Sequence, residues 1–282
     1  MKIMREISAE IIRDTIERMC IEANCILPED MKASINKSFE EESFPQAKNI
    51  LGKIIENYKI AEEENMPVCQ DTGAACVFVK IGQDVHVNGN LEEAIHEGVR
   101  RGYTKGFLRK SIVGDPLERK NTGDNTPAMI YYEITTGDKI DITLAPKGFG
   151  SENMSRIKML KPSEGVEGVI DFVVETVELA GPNPCPPIVV GVGIGGTFDK
   201  CALLAKKALL RSAESENPHP YYAELEKILL EKINNLGIGP QGFGGKTTAL
   251  AVNIEQFATH IAGLPVAVNI NCHVTRHVRE VL

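Results

Sequence analysis

Three short turns, each setting a cysteine among prolines or polar residues, constrain this chain more than any other feature. They are Pro67-Val68-Cys69-Gln70-Asp71-Thr72-Gly73, Asn183-Pro184-Cys185-Pro186-Pro187 and Asn269-Ile270-Asn271-Cys272-His273. The first places a soft ligand, an amide and a carboxylate on consecutive residues just ahead of an apolar run. If the three sulfurs share one metal group, the fold must gather segments from most of a 282-residue chain. Soft thiolates select iron–sulfur clusters, zinc or copper(I). Spacing this wide fits no short metal motif, so the turns alone leave that choice open.

The remaining cysteines have a simpler explanation. Seven is an odd number, and they are scattered without the density of a secreted disulfide framework, which suits free or metal-bound thiols in a reducing compartment. Cys20 and Cys25 fall on a helical pattern, Cys76 inside an apolar strand and Cys201 on another helix, all reading as packing residues. A net charge of −8 leaves no general basic field for nucleic acid or an anionic membrane surface. A small anionic substrate would need local Arg, Lys, backbone N–H groups or metal. No apolar run is long enough to span a bilayer, and Met1–Glu6 lacks the apolar core of a signal peptide, so the expectation is a soluble cytoplasmic protein. Aromatic residues are only 5% with no Trp, which predicts an aliphatic core.

Apolar periodicity predicts helices from Ser8 to Pro28, at about 29 to 42 and at 45 to 63, so the first sixty residues read as an all-helical layer. After the Cys69 turn, Ala74 to Ile81 reads as a buried strand, with Gly82-Gln83-Asp84 allowing a return along Val85 to Val87. Leu91 to Tyr103 is helical and leads to Gly106-Phe107-Leu108-Arg109-Lys110. Asp115 to Thr126 is an ordered polar loop, and Ala128 to Thr135 with Lys139 to Leu144 reads as a hairpin. Further helices fall at Gly165 to Ala180, Thr197 to Arg211 and Tyr221 to Asn235, with strands at Pro186 to Gly191 and Leu264 to Ile270. The fold class is mixed α/β: an N-terminal helical layer followed by a mixed sheet with helices packed around it. Residues 1–282 read as one domain, and a boundary near 115–126 would divide it into two lobes.

Two glycine-rich stretches imitate nucleotide-binding loops. Gly191-x-Gly193-x-x-Gly196 matches the dinucleotide fingerprint, but its helix runs into a second helix where a parallel strand ending in an acidic residue belongs. Its glycines read better as close helix–strand packing. Gly239-Pro240-Gln241-Gly242-Phe243-Gly244-Gly245-Lys246-Thr247-Thr248 resembles a Walker A loop with one residue too many, a proline in place of a glycine, and a strand-like segment after it. Lys147-Gly148-Phe149-Gly150-Ser151-Glu152-Asn153 is either an anion-binding loop or a flexible connector.

Taken together, Cys69 to Gly73, Lys147 to Asn153, Gly191 to Lys200, Gly242 to Thr248 and Asn271-Cys272-His273 resemble the N-terminal half of class I, iron–sulfur-dependent fumarate hydratases. The same pattern resembles the alpha subunit of L(+)-tartrate dehydratase. The resemblance runs over roughly residues 5 to 280. It implies a [4Fe–4S] cluster held by Cys69, Cys185 and Cys272, with one iron left open to bind substrate. It also implies that Gln70, Arg109 and Gly150 contact substrate, and that Asp71 and His260 are catalytic. Phe149 stands where the family's loop is expected to have a glycine. From the residues alone, Asp71 reads equally as a turn-capping carboxylate, and His260 as a core histidine.

The implied reaction is reversible hydration of a small unsaturated dicarboxylate, fumarate to L-malate, a step of the tricarboxylic acid cycle. L(+)-tartrate dehydration and a non-catalytic iron–sulfur redox-sensing module are the alternatives. In single-chain relatives a second domain supplies the catalytic base. The resemblance therefore implies a beta subunit as partner and an α2β2 heterotetramer.

Overall fold

The computed structural model describes residues 4–282. In chain order they form β1 (Arg5–Ser8), α1 (Ala9–Cys25), α2 (Glu29–Glu41), α3 (Pro45–Glu63), β2 (Ala74–Gly82), β3 (Val85–Asn88), α4 (Leu91–Lys105), β4 (Met129–Thr135), β5 (Ile140–Lys147), α5 (Phe149–Glu152), β6 (Arg156–Leu160), α6 (Gly165–Ala180), β7 (Ile188–Gly195), α7 (Phe198–Ala208), α8 (Pro220–Asn234), β8 (Ala249–Phe257), β9 (Leu264–Asn271) and β10 (Val278–Val281). The class is mixed α/β, as the residue patterns predict. Two compact units interleave along the chain. The first comprises Met1–Leu27, Tyr58–Phe149 and Arg276–Leu282; the second comprises Pro28–Asn57 and Gly150–Thr275. The polar loop at 115–126 lies inside the first unit.

In the first unit, α1 starts where the Ser8 hydroxyl accepts the Glu10 N–H, and α4 where Asn90 accepts that of Glu93. Their apolar stripes, Ile12, Ile16, Met19 and Cys20 on α1 with Ile95, Val99 and Tyr103 on α4, share one core with Val77 and Val79 of β2 and Ile140, Ile142 and Leu144 of β5. The sheet order is β10-β5-β2-β4. That order corrects the hairpin expected from residues 128–144. β2 lies between β4 and β5, parallel to the first and antiparallel to the second. The cause is burial: the first six residues of β2 are all buried, so it takes the centre, while the largely exposed β4 goes to the edge. The return along Val85 to Val87 is also different, because β3 pairs in parallel with β1, Ile7 opposite Val87. That same β1 means the first sixty residues are not wholly helical.

The second unit is built on a sheet of order β6-β9-β7-β8. Val190, Val192, Val268 and Ile254 of its strands pack in one core with Val173 and Val177 of α6 and Leu225 and Leu229 of α8. β7 runs on through the glycine string to Gly195, beyond the expected end at Gly191. Gly191 and Gly193 of the dinucleotide-like motif thus lie inside a strand, with Gly196 just beyond its end. A Cβ on Gly191 would sit 2.2 Å from the Ala205 carbonyl oxygen, and one on Gly193 2.2 Å from that of Cys201. They are spacing residues that let α7 lie against the sheet. The Walker-like segment forms a one-turn 3-10 helix, Pro240–Gly242, and then enters β8 in place of a helix. No helix among the described residues is long and apolar enough to cross a membrane.

Candidate functional site

The Cys69 turn enters β2 of the first unit, and several of its backbone groups are tied down. The Val68 N–H donates to the Asn24 carbonyl on α1 (2.9 Å). The Asp71 N–H points at Cys69 Sγ (3.4 Å), and the Asp71 carboxylate accepts the Gly73 N–H on Oδ1 (3.0 Å) and the Phe149 N–H on Oδ2 (2.9 Å). Three successive carbonyls meet buried donors. Arg276 Nη2 donates to Asp71 O (2.7 Å), the Tyr103 hydroxyl lies 2.7 Å from Thr72 O and 3.0 Å from Gly73 O, and Asn125 Nδ2 donates to Gly73 O (3.1 Å). Gly73 adopts φ 71°, and a Cβ there would fall 2.6 Å from the Lys147 carbonyl carbon, so only glycine fits.

The same turn holds the arginine loop. The buried Thr72 hydroxyl donates to the Arg109 carbonyl (3.0 Å), while the Arg109 side chain is exposed and its guanidinium makes no hydrogen bond among the described residues. Gln70 is exposed as well. Asp71 thus meets the expectation of a turn-capping carboxylate.

In the second unit, strand register brings Cys185 and Cys272 to one edge. Cys185 lies just ahead of β7 and Cys272 directly after β9, and the antiparallel pairing puts Val189 opposite Asn271. The Cys185 carbonyl accepts the His273 N–H (3.4 Å) and lies 3.0 Å from His273 Nδ1. Gln241, from the Walker-like segment, completes the contact. Its backbone N–H and its Nε2 both donate to the Pro186 carbonyl (2.7 and 2.9 Å), and Nε2 is 3.2 Å from His273 Nδ1. Cys185 and Gln241 both hold positive φ, 55° and 53°, unusual for residues with a Cβ. Gly150 is exposed, with the Asn183 carbonyl of the Cys185 turn 3.9 Å from where its Cβ would be.

His260 is not brought to that edge. It follows β8, whose end pairs with Gly195 at the far end of β7. Six residues of extended strand separate Val189 from Gly195, about 20 Å at ~3.3 Å per residue. Its Nδ1 accepts the Ala262 N–H (3.2 Å), and the residue is exposed, which rules out the core-histidine alternative.

Burial sorts the seven cysteines into two groups. Cys20, Cys25, Cys76 and Cys201 are buried; Cys69 and Cys272 are half-buried and Cys185 is exposed. Burial pushes the Cys20 thiol far up and that of Cys201 up to about 11, so these stay protonated and packed. Among the described residues, no group of three or more His, Cys, Asp or Glu side chains is assembled as a metal site.

A family model described as fumarate hydratase (Fumerase) matches residues 13–281. The chain belongs to the fumarate hydratase family. Among curated relatives, a Methanocaldococcus jannaschii protein named "Putative L(+)-tartrate dehydratase subunit alpha" is 47% identical over 272 residues, covering 94% of this chain and 95% of the relative. The L(+)-tartrate dehydratase subunit alpha of Escherichia coli strain K12 is 36% identical over 249 residues, covering 87% and 82%. That of Shigella sonnei matches to the same extent. Set beside the fumarate hydratase family, the residues not anticipated from sequence are Arg276, Tyr103, Asn125 and Gln241. Arg276, Tyr103 and Asn125 carry no motif of their own. Only Gln241 had a signal, a polar side chain in a glycine-rich loop.

Proposed function

We propose that this chain is the alpha subunit of an iron–sulfur hydro-lyase that reversibly adds water to a small unsaturated dicarboxylate, fumarate to L-malate. The observation that carries the reading is the division of the cysteines: three loop sulfurs stay clear of the core that takes the other four. This donor set fits a [4Fe–4S] cluster held by Cys69, Cys185 and Cys272, since thiolates are its ligands and the Cys69 sulfur already has an N–H directed at it. When bound, a cluster with one iron free of cysteine supplies Lewis-acid polarisation of the substrate hydroxyl.

The chain's own residues then take definite parts. The exposed Arg109 guanidinium grips one substrate carboxylate in a bidentate pair, and the Gln70 amide orients the other end. Asp71, fixed by two backbone N–H groups, moves a proton at the departing hydroxyl. Gly150 contributes a backbone contact. Taking a proton from the carbon beside a carboxylate accumulates negative charge there, so cationic and N–H donors must face it. The base that removes that proton belongs to a beta subunit, in an α2β2 assembly. His260 takes no step at the Cys185–Cys272 edge of its own chain.

A second reading, L(+)-tartrate as substrate, is favoured by the names of the relatives at 47% and 36% identity. The two share one chemistry, loss of water from a 2-hydroxydicarboxylate. The test is anaerobic co-purification with the partner subunit, assay of iron and sulfide, and turnover of fumarate, L-malate, L(+)-tartrate and mesaconate. Iron and sulfide with dehydration of one of these acids is expected. A complex without iron and sulfide, or one in which Cys69→Ser, Cys185→Ser and Cys272→Ser all keep them, would sink the reading. A cluster with reversible one-electron chemistry but no turnover would replace it with a redox sensor.

A further inference from the structure

Arg276 is 4% exposed, and its side chain makes one hydrogen bond among the described residues, from Nη2 to the Asp71 carbonyl at 2.7 Å. Its Nε is buried without a hydrogen-bond partner among the described residues. A guanidinium removed from water costs several kcal/mol unless an anion or a full set of acceptors compensates it. Among the described residues no carboxylate pairs with it. Its charge is felt instead by neutral groups: it opposes, without overcoming, the upward push of burial on the Cys25 thiol and the Tyr103 hydroxyl. A buried cation whose one hydrogen bond among the described residues is to a neutral carbonyl is a poor choice for stability alone. Packing would be served as well by methionine or leucine.

What distinguishes the position is the turn that the guanidinium touches. Within the first unit that turn carries the Cys69 sulfur and the Asp71 carboxylate, two groups that bear or can bear negative charge. Among the described residues, the carboxylate is met by hydrogen bonds only from neutral backbone N–H groups. Tyr103 and Asn125 hold the next two carbonyls without supplying charge.

We propose that Arg276 is a positioning residue for the reaction: it fixes the Cys69-Gln70-Asp71 turn through the Asp71 carbonyl and supplies the cation that offsets the turn's negative charge. It touches neither substrate nor reacting atoms. Its part in turnover rests on the hydro-lyase reading, while its clamp on the turn does not.

The experiment therefore has two arms. In the first, amide hydrogen exchange is followed in the full, metal-free chain for a peptide spanning residues 68–74. Arg276→Met is expected to raise exchange there at least tenfold while α6 and α8 of the second unit keep wild-type protection. In the second, the anaerobic complex with the partner subunit is assayed with its preferred acid. Arg276→Met is expected to lower kcat on the order of 10²-fold, the cost of a small misplacement, with KM within about twofold. Arg276→Lys, which keeps the charge, recovers most of that loss, and Tyr103→Phe, which removes a hydrogen bond from the same turn but no charge, costs less than Arg276→Met.

Unchanged exchange in Arg276→Met overturns the clamp, and equal kcat in Arg276→Met and Arg276→Lys overturns the role of charge. If Arg276→Met does not fold, Arg276→Lys decides: wild-type exchange and kcat support the proposal, and loss of both despite a native fold overturns it. Absence of turnover in the wild-type complex removes the hydro-lyase reading and leaves the exchange arm to judge the clamp.

Discussion

In the first unit, the carbonyls of Asp71, Thr72 and Gly73 are held by the side chains of Arg276, Tyr103 and Asn125, brought from the segment before β10, α4 and a loop respectively. In the second, the loops of Cys185 and Cys272 are neighbours because β7 and β9 pair, and backbone groups make most of the remaining contacts. The first arrangement depends on individual polar atoms, and one substitution removes only the one or two bonds of that side chain. The second depends on strand register, which tolerates polar changes but fails if the backbone spacing changes. Substitutions chosen for each mechanism should therefore differ in size and in reach.

The largest effect is expected where register meets packing. In Gly193→Ala the new methyl would stand 2.2 Å from the Cys201 carbonyl oxygen and 2.6 Å from the Ala205 nitrogen, both backbone atoms of α7 that cannot swing away. The helix must lift from the sheet, at about 3 kcal/mol. Urea denaturation should show the loss, and iron uptake in the reconstituted complex should fall with it, although the substitution lies at neither cysteine.

Asn125→Ala tests the other mechanism. The side chain is 0% exposed, accepts the Ser111 N–H on Oδ1 (2.7 Å) and donates to Gly73 O. Truncation leaves the part-buried Ser111 N–H and the buried Gly73 carbonyl without this partner, worth about 2 kcal/mol. Hydrogen exchange should rise around residues 73 and 111 and stay unchanged in the second unit. A uniform rise over both units would show that the clamp is not local.

How much of this was visible beforehand divides along the same line. Helices α1 to α4 and α6 to α8 could be read from apolar periodicity, because each buries one stripe. Strand order could not, since it is decided by competition among strands for the centre of a sheet, a property of the set and not of any one segment. The edge strands β6 and β10 were missed for a related reason: each is short and half-exposed, with too few apolar residues to show a period. In the site, Cys69, Gln70 and Asp71 stood out because they are adjacent in sequence. Arg276 did not, because nothing in a sequence marks an arginine as buried, and the group that it meets lies 205 positions away.

Acid should loosen the first unit's clamp. Asp124, next to Asn125, is partly buried, which alone would raise its pKa. Hydrogen bonds from the Thr126 N–H, the Arg100 guanidinium and the Thr126 hydroxyl outweigh that and bring it from the ordinary 3.8 to about 2. A carboxyl with a depressed folded-state pKa adds stability that is complete above its unfolded value and lost as pH falls through the folded one. The window is thus about pH 4 down to pH 2, and the amount about 2 kcal/mol. Asp124→Asn should lower stability at pH 7 and flatten the acid limb of a melting-temperature profile over that window. A variant whose acid limb overlays the wild type would assign the loss to other carboxylates.

Gln241→Ala is expected to have the smallest effect on stability and the most specific one on chemistry. The backbone N–H still reaches the Pro186 carbonyl, so only the bond from Nε2 to that oxygen and its contact with His273 Nδ1 are lost. Because Gln241 is part-buried and water can take the vacated place, the cost is about 1 kcal/mol. The freed His273 ring no longer braces the Cys185 carbonyl from that side, so Cys185 gains freedom while β7 and β9 stay paired. On the hydro-lyase reading, iron content of the anaerobic complex should fall or become labile to chelator while the urea midpoint barely moves. Asn125→Ala should do the reverse, shifting the midpoint more than iron retention. If both variants lose iron in proportion to stability, the two regions fail together, and the contrast between a clamp of side chains and a register of strands has no consequence for the site.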